Sequence, residues 1–140
     1  MSCFVSHVSI DCRNAYELSE WWKPVLDYAD IDGDPNLPGH PECMIADPRS
    51  GHRLCFIEVP EPKSVKNRVH LDLRPRDRSR DAEVERLREY GATEVADLRG
   101  THGPGSGWVV FADPEGNEFC VLRSEQELAA GDPGAAASDD

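Results

Sequence analysis

The sequence predicts an α+β fold built from two tandem βαβββ modules, at about residues 4–60 and 67–124. Three observations carry that expectation. Two segments open on a histidine followed by alternating apolar residues, His7-Val8-Ser9-Ile10-Asp11 and His70-Leu71-Asp72-Leu73-Arg74. Their downstream stretches also answer each other. Leu26-Asp27-Tyr28-Ala29 matches Glu89-Tyr90-Gly91-Ala92, and Asp47-Pro48-Arg49-Ser50-Gly51-His52-Arg53-Leu54-Cys55-Phe56 matches Asp113-Pro114-Glu115-Gly116-Asn117-Glu118-Phe119-Cys120-Val121, at nearly constant spacing. Finally, 140 residues suffice for one domain's core but not for two independent ones, so the halves are expected to fold as one unit.

The elements follow in order. Residues 4–12 alternate as a half-buried strand does. Asn14 with Glu17 reads as a capping box opening a helix, whose apolar stripe is Ala15, Leu18, Trp21, Trp22, Val25 and Leu26. Pro24 within the stripe predicts a kink or an early stop. The Pro- and Gly-rich stretch from Asp32 to Pro41 is a loop between short strands. Strands follow at about 42–47 and 53–59, and Pro60 to Lys66 links the halves. The second half repeats the order, with a strand at about 68–74 and a helix from Ser79 to Tyr90 that Gly91 terminates. Strands near 93–98, 107–112 and 118–123 complete it. Gly100-Thr101-His102-Gly103-Pro104-Gly105-Ser106-Gly107 reads as a mobile loop and is no P-loop, because no Lys-Ser or Lys-Thr follows it. From residue 125 to 140 the composition predicts a disordered tail.

The bulk charge narrows the partners. Net charge is −12 with an isoelectric point of about 4.7 and no basic cluster, so neither nucleic acid nor an acidic lipid surface is expected to bind. No apolar run approaches the roughly 20 residues that span a bilayer, and the first residues lack the basic and apolar regions of a secretory signal. A cytoplasmic protein is expected. Its five cysteines, an odd number with no C-x-x-C pair, fit reduced thiols better than a disulfide framework or a zinc ribbon.

Strand parity then points to a site. If Val8, Ile10, Leu71 and Leu73 pack beneath the helices, the opposite faces carry His7, Ser9 and Asp11 in one module and His70, Asp72 and Arg74 in the other. On the last strand Glu118, Cys120 and Leu122 share one face, with Phe119 and Val121 on the other, and the repeat places Cys55 equivalent to Cys120. His7, Cys55, His70 and Cys120 thus occupy symmetric positions.

With its paired βαβββ modules, a strand-opening His in each, and Asp113-Pro114-Glu115-Gly116-Asn117 before the last strand, the chain resembles the vicinal oxygen chelate superfamily. That superfamily includes glyoxalase I, bleomycin and fosfomycin resistance proteins and extradiol dioxygenases. Asn67-Arg68-Val69-His70-Leu71-Asp72-Leu73 and the run from Gly107 to Leu122 resemble its bacterial glyoxalase-like branch. The resemblance implies one open, curved eight-stranded mixed sheet around a cavity, helices outside, and a homodimer. It also implies a divalent metal held by His7, His70 and a last-strand carboxylate, with open positions for vicinal substrate oxygens. The family Glu falls on Cys120 here, which leaves the third ligand open between Glu118 and Cys120.

Each alternative has its own chemistry. Two histidines with Glu118 form a facial triad suited to Fe(II) or Mn(II), although Glu118 lies two residues from Cys120, roughly 6.6 Å along the strand. A Cys120 thiolate with two imidazoles favours Zn(II), Ni(II) being a further candidate, and Cys55 would close the site into a structural one. Glu118 is also the candidate catalytic carboxylate, and Asp11, Trp22, Asp72 and Trp108 are the candidate substrate contacts, Trp108 by stacking on a planar ligand. Against these stand plainer roles. Buried cysteines commonly fill cores, Trp21 and Trp22 lie on a helix stripe, and His40 and His52 sit in solvated loops. His102 is placed to act on a lid, and the charged segment from Arg76 to Glu89 reads as a solvated helix face. Two functions follow: a metal-dependent lyase, isomerase or dioxygenase acting on vicinal oxygens, or a metal-free protein that sequesters a small ligand as antibiotic-resistance members do.

Overall fold

A computed structural model describes residues 1–131 and divides the chain into two compact units, Met1–Ser64 and a second beginning at Val65. The first unit holds β1 (Val8–Cys12), α1 (Ala15–Leu26), β2 (Ala29–Asp30), β3 (Glu42–Ala46) and β4 (Arg53–Glu58). Its sheet order is β1-β4-β3-β2, with β1 parallel to β4 and the other pairs antiparallel. The second unit holds β5 (Leu71–Leu73), α2 (Arg80–Tyr90), β6 (Thr93–Asp97), β7 (Val109–Ala112), β8 (Glu118–Val121) and a short α3 (Glu125–Ala130). Its order, β5-β8-β7-β6, repeats the first with the same parallel and antiparallel pairs. The duplicated sequence is therefore a duplicated topology, two mixed four-stranded sheets each made by one βαβββ module.

In the first unit Asn14 caps α1 by accepting the Glu17 N–H at 3.0 Å, and Glu58 at the end of β4 accepts the Ala15 N–H at 3.1 Å. The helix runs only two residues past Pro24, whose ring cannot donate to the preceding turn, and stops at Asp27 in the left-handed region (φ 55°). Its stripe, Ala15, Leu18, Trp22 and Val25, is buried together with Cys43, Ile45, Leu54 and Phe56 of β3 and β4. Each large side chain so buried contributes about 1.5–3 kcal/mol. Ser19 also lies in that interior, its hydroxyl donating to Tyr16 O at 2.8 Å.

In the second unit Val84 and Leu87 of α2 are buried, as are Val109 and Phe111 of β7 and Phe119 and Val121 of β8. Phe111 and Phe119 lie opposite each other in the β7–β8 register and stack with ring centroids 5.9 Å apart. The alternation on β8 is the expected one. The two Asp-Pro turns have a structural meaning too: buried Asp113 accepts the N–H groups of Glu115 and Asn117 at 2.9 and 3.0 Å, and buried Asp47 accepts that of Arg49 at 2.9 Å.

Four expectations need correction. β5 is shorter than the 68–74 strand predicted: only Leu71–Leu73 pairs with Phe119–Val121 of β8, and ahead of it the Asn67 N–H is taken by the Glu118 carboxylate at 2.9 Å. The stretch from 125 starts as helix α3, held by a capping box between Ser124 and Glu127; residues 132–140 of the expected disordered tail lie outside the described residues. The face of α2 is not wholly solvated, since Arg80 and Glu83 are buried. Arg80 Nη1 donates to the carbonyls of Ser106 and Gly107 at 2.8 and 2.9 Å, so the glycine-rich loop expected to move freely is tied down at its end. Among the described residues, no helix is long and apolar enough to cross a membrane.

Candidate metal centre and ligand pocket

The second unit encloses a pocket of about 390 Å³, at the small end of the range for small-molecule sites. One wall is apolar, made by Leu98, Trp108, Val110 and Leu122, and the polar lining comes from Lys66, His70, Asp72, Glu118 and Cys120. The strands dictate this division. Phe119 and Val121 turn into the core, which sends Glu118, Cys120 and Leu122 to the other face, and β7 does the same with Val110 between the buried Val109 and Phe111.

His70 immediately precedes β5, and Asp72 lies on it directly opposite Cys120 of β8. The three side chains converge. His70 Nδ1 is 3.0 Å from Asp72 Oδ1 and 3.9 Å from Cys120 Sγ, and the three donor atoms lie within 4.8 Å of one another. Among the described residues this is the one trio of His, Cys or acidic side chains close enough to share an ion. Tetrahedral zinc, with bonds of about 2.0–2.3 Å to N, O and S, sets its ligand atoms about 3.3–3.6 Å apart, and the observed spacings straddle that range. Imidazole, carboxylate and thiol are also the donor types such an ion takes.

The electrostatics divide the trio. His70 and Asp72 are exposed, whereas Cys120 is 5% exposed. Burial first, then the charge and hydrogen bond of Asp72, push the Cys120 thiol up to about 11, so without a cation it stays protonated at neutral pH. It is no ready nucleophile.

The other expected site residues are distributed differently. Trp108 and Glu118 line the pocket, but Glu118 is not part of the trio and engages the Asn67 N–H. His7 sits half-buried in the first unit just before β1, its Nδ1 3.0 Å from Ser6 Oγ, and Asp11 is exposed on β1. Cys55 is buried in β4, and burial raises its thiol as well. Trp22 is corrected from ligand contact to core: it is 1% exposed, because helix periodicity aims it with Leu18 and Val25 at the sheet. His52 meets Tyr28, with Nδ1 2.8 Å from the hydroxyl, and His102 is exposed on its loop.

Sequence reasoning puts Leu122 on the face of Glu118 and Cys120 but misses Lys66, which lies in the linker, and Leu98 and Val110 as pocket wall. Parity along β7 holds the signal for Val110; nothing local marks Lys66.

A family model described as the glyoxalase-like domain matches residues 7–122, nearly the whole of both modules. The chain belongs to the glyoxalase-like domain family. Through it the protein is a member of the vicinal oxygen chelate superfamily. Solved structures share this glyoxalase-like fold at low identity. A mutant of the fosfomycin resistance protein FosX from Listeria monocytogenes, complexed with Mn(II) and 1S,2S-dihydroxypropylphosphonic acid, matches with a TM-score of 0.65 at 17% identity, over 93% of this chain and 98% of its own. FosX from Mesorhizobium loti matches at 0.61 and 15%, over 94% and 100%. A possible glyoxalase from Bacillus cereus matches at 0.61 and 14%, over 86% and 98%. No curated protein sequence matches the chain significantly. At such identities the likeness establishes the glyoxalase-like fold and leaves chemistry to the site.

Proposed function

We propose that this is a metal-dependent enzyme of the glyoxalase-like family, a lyase, isomerase or dioxygenase whose substrate carries vicinal oxygens. The observation that carries the reading is the convergence of His70, Asp72 and Cys120 on the lining of one small-molecule pocket. His70 Nδ1, an Asp72 oxygen and Cys120 Sγ would hold the ion, and the thiol among them favours Zn(II) over Mn(II), Fe(II) and Ni(II). Bound there, a divalent cation supplies Lewis acidity toward substrate oxygens. Trp108 and the apolar wall would orient the substrate and exclude water, and the Glu118 carboxylate would hold or move a proton beside it.

The Mn(II) bound by the Listeria FosX agrees with a metal-based chemistry for the fold. The test is elemental analysis of tag-free protein, for wild type and the double variant His70→Ala with Cys120→Ser. Near-stoichiometric metal in wild type and none in the double variant is expected. A wild type that takes up none of the four ions sinks the proposal.

A second reading has its own observation: His70 and Asp72 already satisfy each other at 3.0 Å while Cys120 stays protonated. On that basis the pocket would bind a small ligand without metal or turnover.

A further inference from the structure

We propose that the pocket selects small acidic molecules, with Lys66 pairing the acid group while Trp108, Leu98, Val110 and Leu122 pack an aromatic or branched apolar body. The inference deepens the proposed function and rests on the same pocket. In a chain of net charge −12, a cation that lines a pocket and has no counter-ion among the described residues is unusual. Asp72 is engaged by His70 at 3.0 Å, and Glu118 takes the Asn67 N–H at 2.9 Å. Lys66 itself makes no ion pair with any carboxylate among the described residues. It lines the same pocket as His70, Asp72 and Cys120, so its ammonium and the trio belong to one cavity.

Lys23, by contrast, is locked between Glu20 and Asp30 at 2.6 and 2.7 Å. An ammonium left open beside an apolar wall of one Trp, two Leu and one Val describes the complement of an amphiphilic anion, charged at one end and flat or branched at the other. An ion held by the trio would be offset by the Asp72 carboxylate and the Cys120 thiolate, so Lys66 would remain the group that discriminates an acid from its neutral analogue.

The experiment compares salicylate with salicylamide, equal in shape and differing in charge, by calorimetric titration of wild type, Lys66→Met and Lys66→Arg. Zn(II)-treated and chelator-treated protein are both used. Wild type should prefer salicylate by about fivefold, as a partly exposed charge pair sustains, and less at high salt. The preference should vanish in Lys66→Met and persist in Lys66→Arg, and both changes fall on an exposed side chain that the fold does not need. Equal binding of the two probes, failure of both at millimolar concentration, or a preference that survives Lys66→Met would overturn the inference. A Lys66-dependent preference in protein that takes up no Zn(II) would uphold acid selection while removing the metal. Zn(II) uptake without any preference would do the reverse.

Discussion

Asp72 stands opposite Cys120 on the parallel β5–β8 pair, and the same rung of the first module holds Ser9 opposite Cys55. Each pair is preceded by its module's histidine, His70 or His7. The duplicated scaffold thus carries one rung with a carboxylate and one with a hydroxyl, and only the former assembles three strong donors. Replacing Asp72 with Ser makes the two rungs alike. Asp72→Ser is expected to weaken Zn(II) binding at least about 100-fold, measured by competition with a chromophoric chelator, with little change in melting temperature because Asp72 is exposed.

Arg80 joins α2 to the pocket wall. Its buried guanidinium bonds the carbonyls of Ser106 and Gly107, the residues leading into Trp108, and Ser106 has no exposed surface. Arg80→Met would strand those carbonyls and cost about 3 kcal/mol, read from urea unfolding. Arg80→Lys should recover only part of it, since an ammonium lacks the planar fork.

Gly107 and Gly100 separate two costs of a side chain. Both have positive φ, but a Cβ on Gly107 would collide with the Leu98 carbonyl oxygen, whereas one on Gly100 meets nothing within 4 Å. Gly100→Ala should lose about 1 kcal/mol from backbone conformation alone. Gly107→Ala should lose well over about 2 kcal/mol and disturb Leu98 and Trp108, so ligand affinity falls with stability.

Acid should loosen the same loop. The hydrogen bond from Arg99 holds the Asp97 carboxyl down at about 2, from an ordinary 3.8. A depressed carboxyl lends stability that is complete above the unfolded value and is lost as pH falls through the folded one, here between about 4 and 2. In Arg99→Met the Asp97 titration followed by carbon NMR should move up toward 3.8, and acid unfolding should begin at higher pH. An unmoved Asp97 would show that Arg99 is not its anchor.

The two tryptophans most open to confusion should respond oppositely. Trp22→Ala empties the first unit's core and should cost about 3–5 kcal/mol, whereas Trp108→Ala removes half-buried pocket wall and should lower ligand affinity with a smaller loss of stability.

Much of the architecture was legible because it is written in local periodicity. The alternation around Val8 and Leu71, the cap at Asn14, the stop at Gly91 and the Asp-Pro turns all act within a few residues, and each appears where the pattern put it. The capping box at Ser124 and Glu127 is equally local, but the Ala- and Gly-rich composition that follows it masks the helix. Parity on β8 also placed Cys120 and Glu118 on one face and Phe119 on the other.

By itself the sequence determined two βαβββ modules, the strand faces, and a histidine just ahead of the first strand of each. Tertiary structure alone decided which partners those side chains meet. It brought Asp72 rather than Glu118 to His70 and Cys120, turned Lys66 from linker into pocket lining, and buried Arg80 against a loop some 26 residues away. The reason is physical: helix and strand signals come from neighbours in the chain, whereas donor convergence depends on strand register, and register is set by pairing between segments far apart in sequence.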